Sequence, residues 1–208
     1  MGWAVFVGTI PIVVLGLAFH TKIETTFRSL WIIAISLIVM GVGMAVAERV
    51  GKRERKADSV RPMDGAIVGL WQCLALIPGM SRSGSTIAGA LFRGFDHFGA
   101  ARLSFLMSVP SVAGAGIYEA YSKYKHSKAD GIPINWTSTL VATAVAFVVG
   151  YAAIAWLMRI LQSKGVQPFV LYRIALGALL VVLLGTHRIS AEAGAPAGGD
   201  APITAASR

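Results

Sequence analysis

The residue that most constrains a reading of this sequence is Arg82, set within WQCLALIPGMSRSGST, Trp71 to Thr86. Uncharged runs of 17 residues before it (Gly65 to Ser81) and 10 after it (Ser83 to Phe92) separate it from the nearest charges. A guanidinium at membrane depth costs several kcal/mol unless it is paired or wetted, and runs of this length make snorkelling to an interface awkward. Around it stand the hydroxyls of Ser81, Ser83, Ser85 and Thr86 and the glycines Gly79 and Gly84. Backbone amides at a helix start, hydroxyl donors and a forked cation together make an anion site suited to phosphate. No acidic residue lies nearby in the sequence, so the counter-ion can arrive with a substrate. Other phosphate motifs are absent: there is no GxxxxGKS/T loop, and Gly79-Met80-Ser81-Arg82-Ser83 ends in serine, so it is not a GxSxG elbow.

The elements that must hold this site are apolar helices. The chain has 208 residues, is 55% hydrophobic and 14% charged, with a mean hydropathy of +0.67. Too little charge is present to coat a small soluble domain, which favours an all-α integral membrane protein, a polytopic bundle. Uncharged stretches of bilayer length run from Met1 to Phe19, Leu30 to Ala47 and Gly131 to Met158. The first lacks the basic start and small-residue cleavage site of a signal peptide, and is read as a helix whose upstream neighbour lies outside this sequence.

The expected helices are Trp3 to Phe19 (with Pro11 able to kink it), Ser29 to Glu48, Leu103 to Tyr118, Trp136 to Leu161 and Val166 to Leu184. Polar links join them, among them His20 to Arg28 and Glu119 to Asn135. Gly41 and Ala45 in the second helix have a spacing that permits close helix contact. The segment from about Gly65 to Phe92 is interrupted by Pro78-Gly79, which disfavours one straight helix. It is either a kinked span or two half-helices in a re-entrant hairpin; flanking charge does not separate them, and the break leans towards the hairpin. Residues 1–189 form one membrane domain on this reading, and Ser190 to Arg208, rich in Ala, Gly and Pro, a disordered tail.

The net charge of +9 is read as membrane flanks rather than a nucleic-acid surface. Arg49, Lys52, Arg53, Arg55, Lys56 and Arg61 cluster in one loop beside apolar runs, as cytoplasmic flanks do, where they can also attract anionic headgroups. A single cysteine, Cys73, excludes an intrachain disulfide and is read as a packing residue.

PGMSRSGST, Pro78 to Thr86, matches the pattern PGxSRSxxT, and with WQCLALI, the preceding basic loop and QPFVLYR (Gln167 to Arg173) the chain resembles the bacterial undecaprenyl-diphosphate phosphatases of bacitracin resistance. The resemblance covers about residues 5 to 187. It implies removal of the terminal phosphate from C55 isoprenyl diphosphate, giving the monophosphate carrier of peptidoglycan precursors in the bacterial inner membrane. It also implies an all-helical fold of inverted repeats, with two re-entrant hairpins and a site open to the periplasmic side. Carried over by position, Arg82 would bind the diphosphate, with Ser81, Ser83 and Thr86 orienting phosphate oxygens or the backbone around them. Gln72 would face the site from its half-helix, Pro78 and Gly79 would expose the backbone amides, and Gly84 would join the substrate-binding turn. Arg82, Ser81 and Thr86 are the candidate catalytic residues.

The family's second motif, a glutamate pair followed by Pro-x-Ser-Ser-x-x-His, has no counterpart in this sequence. The resemblance attaches to it a divalent metal (magnesium or calcium) and the attack on phosphorus, so this chain is expected to lack the metal ligands and to be inactive or nearly so alone. Glu24, Glu48 and Glu119 form no ExxxE, and His20, His97, His126 and His187 follow no Ser-Ser; each is read as an ordinary interfacial residue. The partners expected are a polyprenyl diphosphate lipid, the bilayer and a second copy in a homodimer, with no nucleic acid. The alternative is a non-enzymatic polyprenyl-phosphate binding or transport protein, since discontinuous helices are also a transporter signature; an incidental arginine in a plain bundle ranks third.

Overall fold

The computed structural model describes residues 1–25, 29–130, 135–189 and 191. Among them it forms seven α-helices: α1 (Gly2–Thr25), α2 (Leu30–Val50), α3 (Pro62–Cys73), α4 (Arg82–Phe92), α5 (His97–Asp130), α6 (Trp136–Lys164) and α7 (Gln167–Gly185). Five of them, α1, α2, α5, α6 and α7, are long and apolar enough to cross a bilayer. At 1.5 Å per residue α3 and α4 reach only about 18 Å, well short of a hydrocarbon core of about 30 Å. The chain is an all-α polytopic membrane bundle.

The Pro78-Gly79 break resolves as a hairpin. After α3 come a short 3-10 turn, Leu74–Leu76, and a loop leading into α4. Asp64, in the first turn of α3, takes a hydrogen bond from Arg93 Nε at 3.0 Å, just beyond the end of α4. The two outer ends of the pair therefore meet at a common base, and residues 77–81 form the tip. The hairpin starts at Pro62, three residues before the expected boundary, because the Asp64 carboxylate accepts from the Arg61 backbone N–H and Pro62 stands in the first turn.

The other helices are arrayed around this pair. A side-chain carbon on Gly65 would collide with the Ala4 carbonyl, and one on Gly69 with the Gly8 carbonyl, so α1 and α3 run side by side with their backbones touching. Gly69→Leu is expected to cost about 2–3 kcal/mol through overpacking, whereas Gly114→Leu should cost little, because Gly114 has nothing within 4 Å. Thermal unfolding of the two variants in one detergent checks this, and equal midpoints would remove the crossing from the account. Gly41 of α2 packs against Ile174 of α7, and Gly177 of α7 against Ile38 and the Ala34 carbonyl, so these helices are antiparallel. The close contact expected at Gly41 is present.

Two helices outrun their expected ends. α1 continues to Thr25 and α5 runs unbroken from His97 to Asp130, through Pro110 and the polar stretch expected to be a link. Polar residues do not end a helix when they are good helix formers, and the Glu119–Lys123 pair at i,i+4 (3.5 Å) lies along the continuation. The tail assigned to 190–208 lies outside the described residues, Ala191 apart, as do the side chains of His20, Glu24 and His126.

The basic loop is partly neutralised from within. Asp64 is buried and takes two hydrogen bonds from Arg55 (2.9 and 2.6 Å), one from the Arg61 N–H (3.0 Å) and one from Arg93. Arg55 also lies over the buried Phe95 ring, 4.2 Å from its centroid. Burial pushes the Asp64 carboxyl up, but the hydrogen bonds from Arg55, Arg61 and Arg93 and the Arg55 charge outweigh it and hold the carboxyl at about 2. A folded value below the unfolded one stabilises the fold fully above about pH 4, and this contribution is lost as pH falls through the folded value. Stability in detergent should therefore drop by about 2 kcal/mol between pH 5 and pH 1. Asp64→Asn should remove most of that drop and lower stability at pH 7; an unchanged acid profile would assign the drop elsewhere. A second pair, His97 Nε2 to Glu48 Oε2 at 2.8 Å, ties α5 to α2 at the same base, which gives His97 a structural role.

Candidate anion site at the hairpin tip

The tip is built from backbone geometry first. Gly79 has φ +93°, and a side-chain carbon there would meet the Ile33 carbonyl of α2 at 2.7 Å, so only glycine fits. Ser81 follows with φ +41°, a strained value for a residue with a Cβ. Non-glycine residues held this way concentrate at functional sites. The strain places Ser81 as the N-cap of α4, where its Oγ accepts from the Gly84 N–H at 3.2 Å. The start of α4, with the partial positive charge of a helix N-terminus, is thus held at the turn of the hairpin.

The hydroxyls divide into two sets. Ser81 Oγ and Ser83 Oγ lie 3.4 Å apart, with Ser83 exposed. Both line a cavity of about 60 Å³, together with Gly84. Ser85 and Thr86 are buried and turn inward. Ser85 Oγ donates to the Ser81 carbonyl at 3.0 Å, bracing the N-cap. Thr86 Oγ1 donates to the Arg82 carbonyl at 2.9 Å and lies 2.6 Å from Ser104 Oγ of α5. Of the three candidate catalytic residues, Ser81 is at the cavity, while Thr86 secures the first turn of α4 against α5.

Arg82 is half-buried and reaches towards α5, where Nη1 donates to Ser111 Oγ at 2.9 Å. Among the described residues no carboxylate pairs with it. Gln72 is fully buried, and neither its Oε1 nor its Nε2 has a partner among the described residues. An unpaired buried amide costs about 1–3 kcal/mol. Val68, one turn earlier on the same face of α3, belongs to the apolar core.

A second guanidinium belongs to the tip. Arg173 of α7 donates from Nη1 to the Gly79 carbonyl at 3.1 Å and lines the same cavity as Ser81 and Ser83. Its position, six residues beyond Gln167 in an apolar span, carried the signal that singled out Arg82, a cation at membrane depth. The tip therefore offers a strained serine N-cap, a helix start, two hydroxyls, Arg173 reaching in from α7, and Arg82 in the first turn of α4, turned towards α5. Such donors suit an anion with several oxygens.

Residues 1–179 match the protein family described as "Bacitracin resistance protein BacA". The chain belongs to that family. Among its curated relatives, a Micrococcus luteus protein is 50% identical over 191 residues, 92% of this chain and 69% of the relative. A Renibacterium salmoninarum protein is 49% identical over 185 residues, 89% of this chain and 66% of its own length. A Mycolicibacterium smegmatis protein is 44% identical over 192 residues. All three relatives carry the name undecaprenyl-diphosphatase. The chain spans about two thirds of the length of these relatives. As a family member with five bilayer-length helices it is a multi-pass protein of the bacterial inner membrane.

Proposed function

We propose that this chain carries the diphosphate-holding part of an undecaprenyl-diphosphate phosphatase. The reaction is hydrolysis of the terminal phosphoanhydride of C55 isoprenyl diphosphate. Water attacks the outer phosphorus, the bond to the bridging oxygen breaks, and the lipid monophosphate and inorganic phosphate leave with the released proton. The observation that carries the reading is the convergence of Ser81, Ser83, the start of α4 and Arg173 on one cavity, with Arg82 in the same turn. Phosphoryl transfer depends on neutralising charge on the phosphate oxygens and aligning attack. Arginines and oriented donors supply the first and part of the second.

Family resemblance also implies a divalent metal. Among the described residues no group of three His, Cys, Asp or Glu side chains is placed to hold one. The serines and arginines at the tip do not fit it. The metal and the activation of the attacking water are assigned to the glutamate pair and Ser-Ser-x-x-His motif, which this sequence does not contain. A homodimer is a further proposal, supported by α6, whose apolar length is exposed except near its end.

The test is phosphate release from C55 isoprenyl diphosphate in detergent with magnesium or calcium. It compares this chain alone with this chain preceded by a segment that carries the glutamate pair and the Ser-Ser-x-x-His motif. Release only by the longer protein supports the reading. Saturable lipid binding without release by either would favour the binding or transport alternative.

A further inference from the structure

Ser81 and Arg82 are adjacent in the chain, yet they leave the start of α4 on different sides. The polar lining of the cavity is Ser81, Ser83, Gly84 and Arg173, and Arg82 is not part of it. Arg82, the first residue of α4, is directed at α5, which receives it at Ser111. The N-terminus of α4 therefore has a guanidinium on each flank, Arg173 from α7 and Arg82 against α5.

α5 holds Arg82 at both ends. Ser104 and Ser111 are seven residues apart on α5, two turns, and share one face. Ser111 Oγ accepts from Arg82 Nη1 at 2.9 Å. Its own proton has an acceptor in the Ser108 carbonyl at 3.1 Å, which leaves a lone pair for the arginine. Ser104 Oγ lies 2.6 Å from Thr86 Oγ1, and Thr86 donates in turn to the Arg82 carbonyl at 2.9 Å. Guanidinium and backbone of one residue are thus both fixed from a neighbouring helix by hydroxyls. A carboxylate in place of Ser111 would cancel the charge of the arginine, whereas a hydroxyl orients it and leaves the charge for a ligand.

The cavity cannot take a whole diphosphate. All of its volume, about 60 Å³, has room for roughly four to six water-sized groups, one phosphoryl group with its oxygens rather than two. A diphosphate seated there by one phosphoryl group must lodge the other outside, and the start of α4 leads across to Arg82.

We propose that Ser111 is a positioning residue through which the site selects diphosphate over monophosphate. It keeps Arg82 on the α5 flank, where the second phosphoryl group of a ligand held by Ser81, Ser83 and Arg173 reaches it. The inference rests on the diphosphate reading of the hairpin tip and deepens it. A monophosphate occupies the cavity flank alone and forgoes Arg82, so the product of phosphate removal is held less tightly than the substrate.

The experiment measures equilibrium binding of inorganic diphosphate and of orthophosphate to the 208-residue chain in detergent. Ser111→Ala should weaken diphosphate binding about 3- to 10-fold, the worth of one hydrogen bond, and leave orthophosphate within twofold. Ser111→Thr, which keeps the hydroxyl, should restore most of the diphosphate affinity. In an Arg82→Ala background, Ser111→Ala should have no further effect, because a residue that acts through Arg82 has nothing left to position. Equal weakening of both anions would overturn the proposal, since Ser111 would then only steady the bundle. An independent loss in the Arg82→Ala background would overturn it too, as would unchanged or tighter diphosphate binding by Ser111→Ala. Failure of the unaltered chain to bind diphosphate, or full affinity in Arg82→Ala, would instead bring down the diphosphate reading of the tip, and the role of Ser111 with it.

Discussion

Arg82→Ala is expected to reduce phosphate release from C55 isoprenyl diphosphate about 100-fold or more, in the version of the protein that carries the second motif. Removing one donor aimed at developing charge costs about that much in enzymes that work by electrostatic preorganisation. Arg82 is placed for such a role, since the side chain it bonds among the described residues is the neutral hydroxyl of Ser111. The substitution should leave the fold intact. Ser111 Oγ also lies 3.1 Å from the Ser108 carbonyl, to which it can donate, and the start of α4 is fixed by Ser81 and Ser85 rather than by Arg82. Arg82→Lys should recover only part of the loss, because an ammonium lacks the planar fork that engages two phosphate oxygens. Phosphate release and thermal midpoint measured on the same preparations check both claims. Release within threefold of wild type from folded Arg82→Ala would remove Arg82 from the site.

What the sequence disclosed depended on whether its signal was local. Arg82 stood out because a charge inside 27 otherwise uncharged residues has a cost that needs explaining. Pro78-Gly79 marked the break because neither residue continues a helix comfortably. The hairpin itself was only favoured, and the contact that settles it, Asp64 with Arg93, joins residues 29 positions apart. The neutralisation of the basic loop by Asp64 was hidden for the same reason: the loop reads as six free cations until the fold closes Arg55 onto a buried carboxylate. The hydroxyl cluster was visible as a cluster, but its division was not. Ser81 and Ser83 face the cavity while Ser85 and Thr86 lock α4 to its own turn and to α5, a distinction set by helix rotation that spacing alone leaves open. Arg173 was legible in principle, because a cation within an apolar span is the same signal that Arg82 carries.

Arg173 carries the second large prediction. A diphosphate monoester brings about −1.5 to −2 charge on its terminal phosphate alone, more than Arg82 can balance. Arg173 reaches the same turn from α7 and already donates one hydrogen bond to the Gly79 carbonyl at 3.1 Å. Arg173→Ala should weaken inorganic diphosphate binding about 10- to 100-fold, the worth of one to two charge-assisted hydrogen bonds. That result alone would not separate a charge for the ligand from a brace for the tip, because the bond to Gly79 is lost as well. Two further variants separate them. Arg173→Gln can still donate to a carbonyl but carries no charge, and Arg173→Lys keeps the charge without the fork. If Arg173 holds diphosphate, lysine should restore part of the affinity and glutamine none, and the dependence of binding on salt should weaken in alanine and glutamine alike. If glutamine restores full affinity, Arg173 is a strut beneath Gly79, and the positive charge at the tip rests on Arg82 and the start of α4.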